Sequence, residues 1–160
     1  MTELTRAAAE LTTLVALQLL QKAIDRADEL GRPMAISIVD PGGNQKAFIR
    51  MDGAPLLAGE VAFRKAWSAV AWNMPTRDWV PFISKDEVLL EGVPRIDGLS
   101  VLPGGVPIEV GELMVGGIGV SGSHYSEDDE VAIHALGSVA GIDLPAPARP
   151  ARAWSDIETP

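Results

Sequence analysis

The chain has 160 residues, with 13 Lys and Arg against 22 Asp and Glu and a formal charge of −9 at pH 7. That length suits one domain able to bury its own core, and a composition 47% hydrophobic and 22% charged is that of a globular chain rather than a disordered one. The acidic balance argues against nucleic acid or an anionic membrane surface as partner, and the absence of cysteine excludes disulfides, thiolate chemistry and cysteine-ligated metal centres.

No run of about 18 apolar residues is present to span a bilayer. Glu3 and Glu10 interrupt the N-terminal stretch, which does not read as a secretory signal, so the expected address is the cytoplasm. Residues 3 to 30 contain neither Gly nor Pro, and Leu4, Ala8, Leu11, Val15 and Leu19 recur at spacings of three and four. The pattern predicts one long amphipathic helix, stopped by Gly31 and Pro33. Two short apolar runs, 34–39 and 46–51, flank Asp40-Pro41-Gly42-Gly43-Asn44 and predict a β-hairpin. Residues 56–72 read as a second helix with a small-residue face of Ala58, Ala62, Ala66 and Ala69, ended by Pro75. Residues 75–95 read as irregular, with one helical turn near 84–90. Three strands are predicted at 99–102, 106–110 and 113–120, the last two joined by Gly111-Glu112. A final helix over 126–140 has Ser126 as its expected cap and Glu127 to Glu130 in its first turn. Residues 1–142 form the expected single domain. Residues 143–160, which hold four of the twelve prolines, read as an extended arm able to pack on another subunit. Hairpin links imply an α/β (α+β) fold with an antiparallel sheet of about five strands flanked by helices.

Few motifs carry chemistry. Gly117 to Gly122 matches G-x-G-x-x-G, but its strand belongs to a hairpin, and an acidic helix start repels a pyrophosphate, so close backbone packing is the better reading. Gly119-Val120-Ser121-Gly122-Ser123 lacks the final Gly of a nucleophile elbow. Of two histidines, His124 lies in a Gly/Ser-rich turn after the last strand. It is either a proton donor or acceptor, a metal or haem-iron ligand, or a plain solvent-facing residue. With Asp128 and Asp129 it forms a candidate non-haem metal set, although acidic first turns also occur without metal. His134, inside the last helix, reads as partly buried and structural. Arg50, with Arg64 and Lys65 downstream, is the one basic group near the apolar centre and suits a carboxylate, or else forms ion pairs. Trp67, Trp72 and Trp79, with Met74 and Phe82, suit equally the wall of a flat-ligand pocket and ordinary packing.

Six motifs occur in order: Asp40-x-Gly42-Gly43, Arg50-Met51-Asp52-Gly53-Ala54, Lys65-Ala66, Pro75-Thr76, Gly104-Gly105-Val106-Pro107-Ile108, and Gly117 to Gly122 followed by Glu127-Asp128-Asp129. Together they resemble the GlcG/HbpS family of haem-binding and haem-degrading-type proteins, which includes the C-terminal domain of PduO-type proteins, over roughly residues 5 to 141. The resemblance implies a profilin-like fold and homo-oligomers, dimers or octamers built from them. It also implies a binding protein for haem or a similar flat anionic small molecule. The ligand contacts it suggests are Arg50, Arg64, Lys65, Trp67, Thr76, Gly104, Gly105, Ser121, Gly122 and His124. His124, the better exposed of the two histidines, is the expected iron ligand. The missing secretory pattern, the tryptophans and the Pro-rich tail depart from the family. They keep two other readings open. One is a small catabolic enzyme, cofactor-independent or metal-assisted, acting on an aromatic or hydroxy acid with His124 as acid or base and Asp40, Asp52 or Asp128 as helper. The other is a ligand-free assembly module.

Overall fold

The computed structural model describes residues 8–145. Helix α1 spans Thr13–Glu29, with the Thr12 hydroxyl accepting from the Val15 amide as its N-cap. It starts later than the apolar stripe predicts because the Leu11 amide donates to the Val115 carbonyl at 2.9 Å, which holds that stretch extended against the sheet. Residues 3–7 of the predicted helix lie outside the described residues. Strands β1 (Ala35–Val39) and β2 (Gln45–Arg50) form the predicted hairpin, pairing Ala35 with Arg50. The Asp40 carboxylate accepts from the Asn44 amide and closes the turn.

Helix α2 covers Leu56–Trp72 and ends on Asn73 in the left-handed conformation, two residues before Pro75. The segment read as irregular folds into two short helices, α3 (Trp79–Ile83) and α4 (Glu87–Gly92), with 3-10 turns at Thr76–Asp78 and Val93–Arg95. Strands β3 (Gly105–Val110) and β4 (Leu113–Ser121) follow, then α5 (Tyr125–Gly137).

The fold is α+β, and the described residues form one four-stranded antiparallel sheet in the order β2-β1-β4-β3, where the sequence predicts about five strands. The strand predicted at 99–102 does not form. The Ser100 amide donates to the Ser68 hydroxyl on α2 at 2.7 Å, and Leu99 and Val101 pack with Trp79, Ile83 and Val93 instead of a ladder. Side chains alternate across the sheet. Ile36, Ile38, Val106, Ile108, Ile118 and Val120 meet α1 and α5 in the main core, whereas Ala35 and Val39 meet α2.

The G-x-G of β4 faces α2. A Cβ on Gly119 would sit 2.0 Å from the Ala62 carbonyl oxygen, and one on Gly117 would sit 2.9 Å from that of Ala66. The glycines therefore let helix backbone lie directly on strand backbone, which is the packing reading of that motif. At the far end of the described chain, the Asp143 amide donates to the Glu109 carbonyl on β3. The predicted arm lies outside the described residues from 146 onward. Among the described residues no helix is long and apolar enough to cross a membrane.

Candidate functional site

An open cleft of about 400 Å³ lies between the start of α2 and the turn joining β4 to α5. Its wall is apolar, built by Pro55, Leu57 and Val61 of α2 and its cap, with Leu102 and Tyr125 opposite. Its polar edge is the chain from Ser121 to His124, and Lys65 and Asp128 close it from below.

The turn is made by Gly122. Its φ of +148° is open to glycine, and a Cβ there would meet the Met34 Cα and the Pro33 carbonyl oxygen at 2.8 Å. The chain is thereby redirected into α5, whose N-cap is His124 rather than the predicted Ser126. His124 Nδ1 lies 2.8 Å from the Ser126 hydroxyl and 3.3 Å from the Ser126 amide, and its ring stacks on Tyr125 with centroids 4.1 Å apart. The imidazole is exposed, as expected of a turn histidine. His134, by contrast, is exposed where the sequence suggests partial burial, because it lies on the outer side of α5 while Val131, Ala132, Ala135 and Leu136 take the core.

Beneath the turn is a buried ion pair. Lys65 and Asp128 are 1% and 2% exposed. The Lys65 ammonium donates to Asp128 Oδ2 at 2.8 Å and to the Val120 carbonyl at 2.9 Å, while Asp128 Oδ1 accepts from the Ser123 amide at 3.0 Å. Burial pulls the Lys65 ammonium below its ordinary value against the pull of Asp128. Burial likewise pushes the Asp128 carboxyl up, with Lys65 opposing. Both shifts weaken charge in a site closed to water.

The structure brings together only part of the predicted set. Lys65, Ser121, Gly122 and His124 line the cleft. Gly104 lies against the Lys65 ammonium, which a Cβ there would approach to 3.0 Å. Gly105 packs on α2 backbone, where the buried Thr76 hydroxyl accepts from its amide and donates to its carbonyl. Arg50 donates to the Ala54 carbonyl at 2.9 Å, next to Pro55 of the cleft wall. Arg64 is spent on Glu60, one helical turn away on the same exposed face.

Trp67 stacks over Gly43 of the β1–β2 turn. The Trp-rich segment does not wall the cleft: Trp79 is buried in the separate cluster with Ile83 and Val93, and Trp72 packs beside it at 5.9 Å. Asp40 is engaged by Asn44 in the hairpin turn. Asp52 lines a different open cleft, with Asp28 and Arg32. Neither lines the His124 cleft.

Among the described residues no three His, Asp or Glu side chains converge to hold a metal ion. Asp128 faces Lys65, and Asp129 faces Arg77 at 3.0 Å, so both carboxylates of the candidate metal set are held by cations. What sequence reasoning missed is the Lys65–Asp128 pairing. One signal was present: Lys65 stands three residues after Ala62 and four before Ala69, on the same buried stripe of α2.

The architecture is thus a small α+β domain with an apolar cleft, an exposed imidazole at its lip and a buried ion pair beneath. A family model described as "Haem degrading protein HbpS-like" matches residues 11–137, and the chain belongs to that family. The corrinoid adenosyltransferase PduO of Citrobacter freundii is 34% identical over 123 residues, 76% of this chain and 37% of that protein. The chain therefore spans little more than a third of that relative. GlcG of Escherichia coli K12 is 28% identical over 88 residues, 55% of this chain and 63% of GlcG. Among solved structures, HbpS superposes with a TM-score of 0.77 at 32% identity, covering 86% of this chain and 95% of that one. A PduOC:heme complex superposes with a TM-score of 0.77 at 28% identity, covering 85% and 99%.

Proposed function

We propose that this chain binds haem, or a flat anionic small molecule of that kind, in the cleft between α2 and the β4–α5 turn, with His124 as its ligand to the metal. The observation that carries the reading is the exposed His124 imidazole at the lip of an apolar wall. A solved relative of similar fold holds heme, which supports the ligand class.

The residues present fit the group. Leu57, Val61, Leu102 and Tyr125 offer apolar and aromatic surface to a flat face. Arg50, held at Ala54 beside the wall, supplies a guanidinium to a ligand carboxylate. His124 Nδ1 is held at the start of α5, where it accepts from the Ser126 amide and lies 2.8 Å from the Ser126 hydroxyl, which leaves Nε2 as the nitrogen that would meet a metal. Bound haem would supply iron-centred redox chemistry. Self-association of the chain, which the family resemblance implies, belongs to the same proposal.

A second reading is favoured by one feature, the Lys65–Asp128 pair with shifted proton affinities next to the same cleft. It is an acid–base enzyme acting on an aromatic or hydroxy acid, with His124 as acid or base and Asp128 as its helper. Titration with haemin, wild type against His124→Ala, separates the two. The first reading predicts a saturable Soret band at one equivalent, altered in the variant. A weak, non-saturating change contradicts it and leaves the enzyme reading. A band identical in the variant retains haem and removes His124 as its ligand.

A further inference from the structure

We infer that Lys65 and Asp128 are positioning residues for His124: the buried pair is the clamp that fixes the β4–α5 turn and so aims the imidazole across the cleft. The inference rests on the proposed role of His124, but its test does not use haem. The clamp reaches every part of that turn. Lys65, from α2, holds the Val120 carbonyl at the end of β4. The same ammonium holds Asp128 Oδ2, one turn into α5. Asp128 Oδ1 then holds the Ser123 amide, the residue before His124. The His124 carbonyl in turn accepts from the Asp128 amide at 3.1 Å, which closes a ring of hydrogen bonds around the histidine.

Nothing larger than glycine fits over the pair. A Cβ on Gly104 would stand 3.0 Å from both the Lys65 ammonium and the Asp128 Cβ, and 2.7 Å from the Val120 carbonyl oxygen. The Gly104 carbonyl accepts from the Val120 amide at 2.9 Å, so backbone seals the clamp from the β3 side. A lysine whose task was only to complete helix–sheet packing would be replaceable by an apolar side chain of similar volume, since buried ion pairs often add little net stability. The geometry here gives the pair something an apolar side chain cannot supply: three directed hydrogen bonds that converge on one turn.

The chain contains two histidines, and the second, His134, is exposed on α5 ten residues from the first, which makes it an internal control. The experiment is ¹⁵N NMR of the imidazole nitrogens in ligand-free wild type, Lys65→Met and Asp128→Asn. Met keeps an unbranched side chain without charge, and Asn keeps the volume and one oxygen for the Ser123 amide. The clamp predicts that both folded variants lose the unequal Nδ1 and Nε2 shifts of a fixed His124 tautomer and move towards averaged values, while His134 is unchanged. Unchanged His124 shifts in a folded variant overturn the inference, whatever the loss in melting temperature. If Lys65→Met does not fold, Asp128→Asn carries the test alone. Failure of both to fold also overturns it, because the pair would then be needed for the fold itself rather than for aiming His124. A failed haemin titration with altered His124 shifts in the variants would instead refute the ligand and retain the clamp.

Discussion

Asp78 is a half-buried carboxylate whose charge is opposed by its surroundings. Burial pushes its carboxyl above the ordinary value of 3.8, and the neighbouring Asp129 adds to that, with Arg77 opposing. One oxygen of Asp78 and one of Asp129 are buried without a hydrogen-bond partner among the described residues. A carboxyl whose folded value exceeds its unfolded one binds more protons folded than unfolded between the two values, so its contribution to stability falls as pH rises through that window. At neutral pH ionised Asp78 therefore works against folding. Asp78→Asn is expected to raise the melting temperature at pH 7 by about 2–4 °C, the equivalent of about 1 kcal/mol at this size. The gain should disappear below pH 3.8, where the wild-type carboxyl is protonated in both states. A pH series of calorimetric melts checks both the sign and the window. At this scale the sequence was half legible. His124 stood out by its Gly/Ser turn, and it does face the cleft. The partnership of Lys65 with Asp128, 63 residues later, left only the stripe of alanines around Lys65 as a trace.

Elements were legible where the local pattern and the packing agree. The β1–β2 hairpin follows from turn chemistry, and α2 from its alanine face. They were misread where a tertiary bond overrides the pattern: Leu11 leaves the α1 stripe to bond Val115, and Ser100 leaves the strand pattern to bond Ser68. Neither bond has a local signature. The tightest contact between elements is α2 against β4, made possible by glycines on the strand. Gly119→Ala would place a methyl 2.0 Å from the Ala62 carbonyl oxygen, a distance no side-chain adjustment relieves because the obstacle is backbone. The expected cost is about 3 kcal/mol, at the upper end of ordinary overpacking, read as a fall in denaturant midpoint. A near-neutral result would show that α2 can slide off the strand.

The described residues bury one main core, which joins α1, α5 and one sheet face, and three smaller apolar clusters, two of them between α2 and the opposite sheet face. The cluster around Trp79, Ile83 and Val93 belongs to a segment that packs mainly on itself and is tied to α2 through Ser100 and to β3 through Thr76. Leu102 is a wall of the cleft, so this segment borders the proposed site although its tryptophans do not. Stability is not uniform across such a molecule, and few long-range apolar contacts mean low-energy local opening. Hydrogen exchange is therefore expected to release the amides of α3 and α4 well before those of β1 and β4. Equal protection would mean that the segment is continuous with the main core. The fold class was legible in the sequence, down to helices covering an antiparallel sheet. Which helix covers which face, and where the cleft opens between them, depends on contacts far apart in the chain.

On the proposed function, His124 is the group at the cleft that meets the metal of a bound haem. Pulsed EPR on ferric haem bound to protein carrying ¹⁵N-labelled histidine tests it directly, because only two histidines can contribute. The expected result is an imidazole nitrogen coupling to iron that survives His134→Ala and vanishes in His124→Ala. A coupling that persists in His124→Ala, or is absent from the wild type, would contradict it.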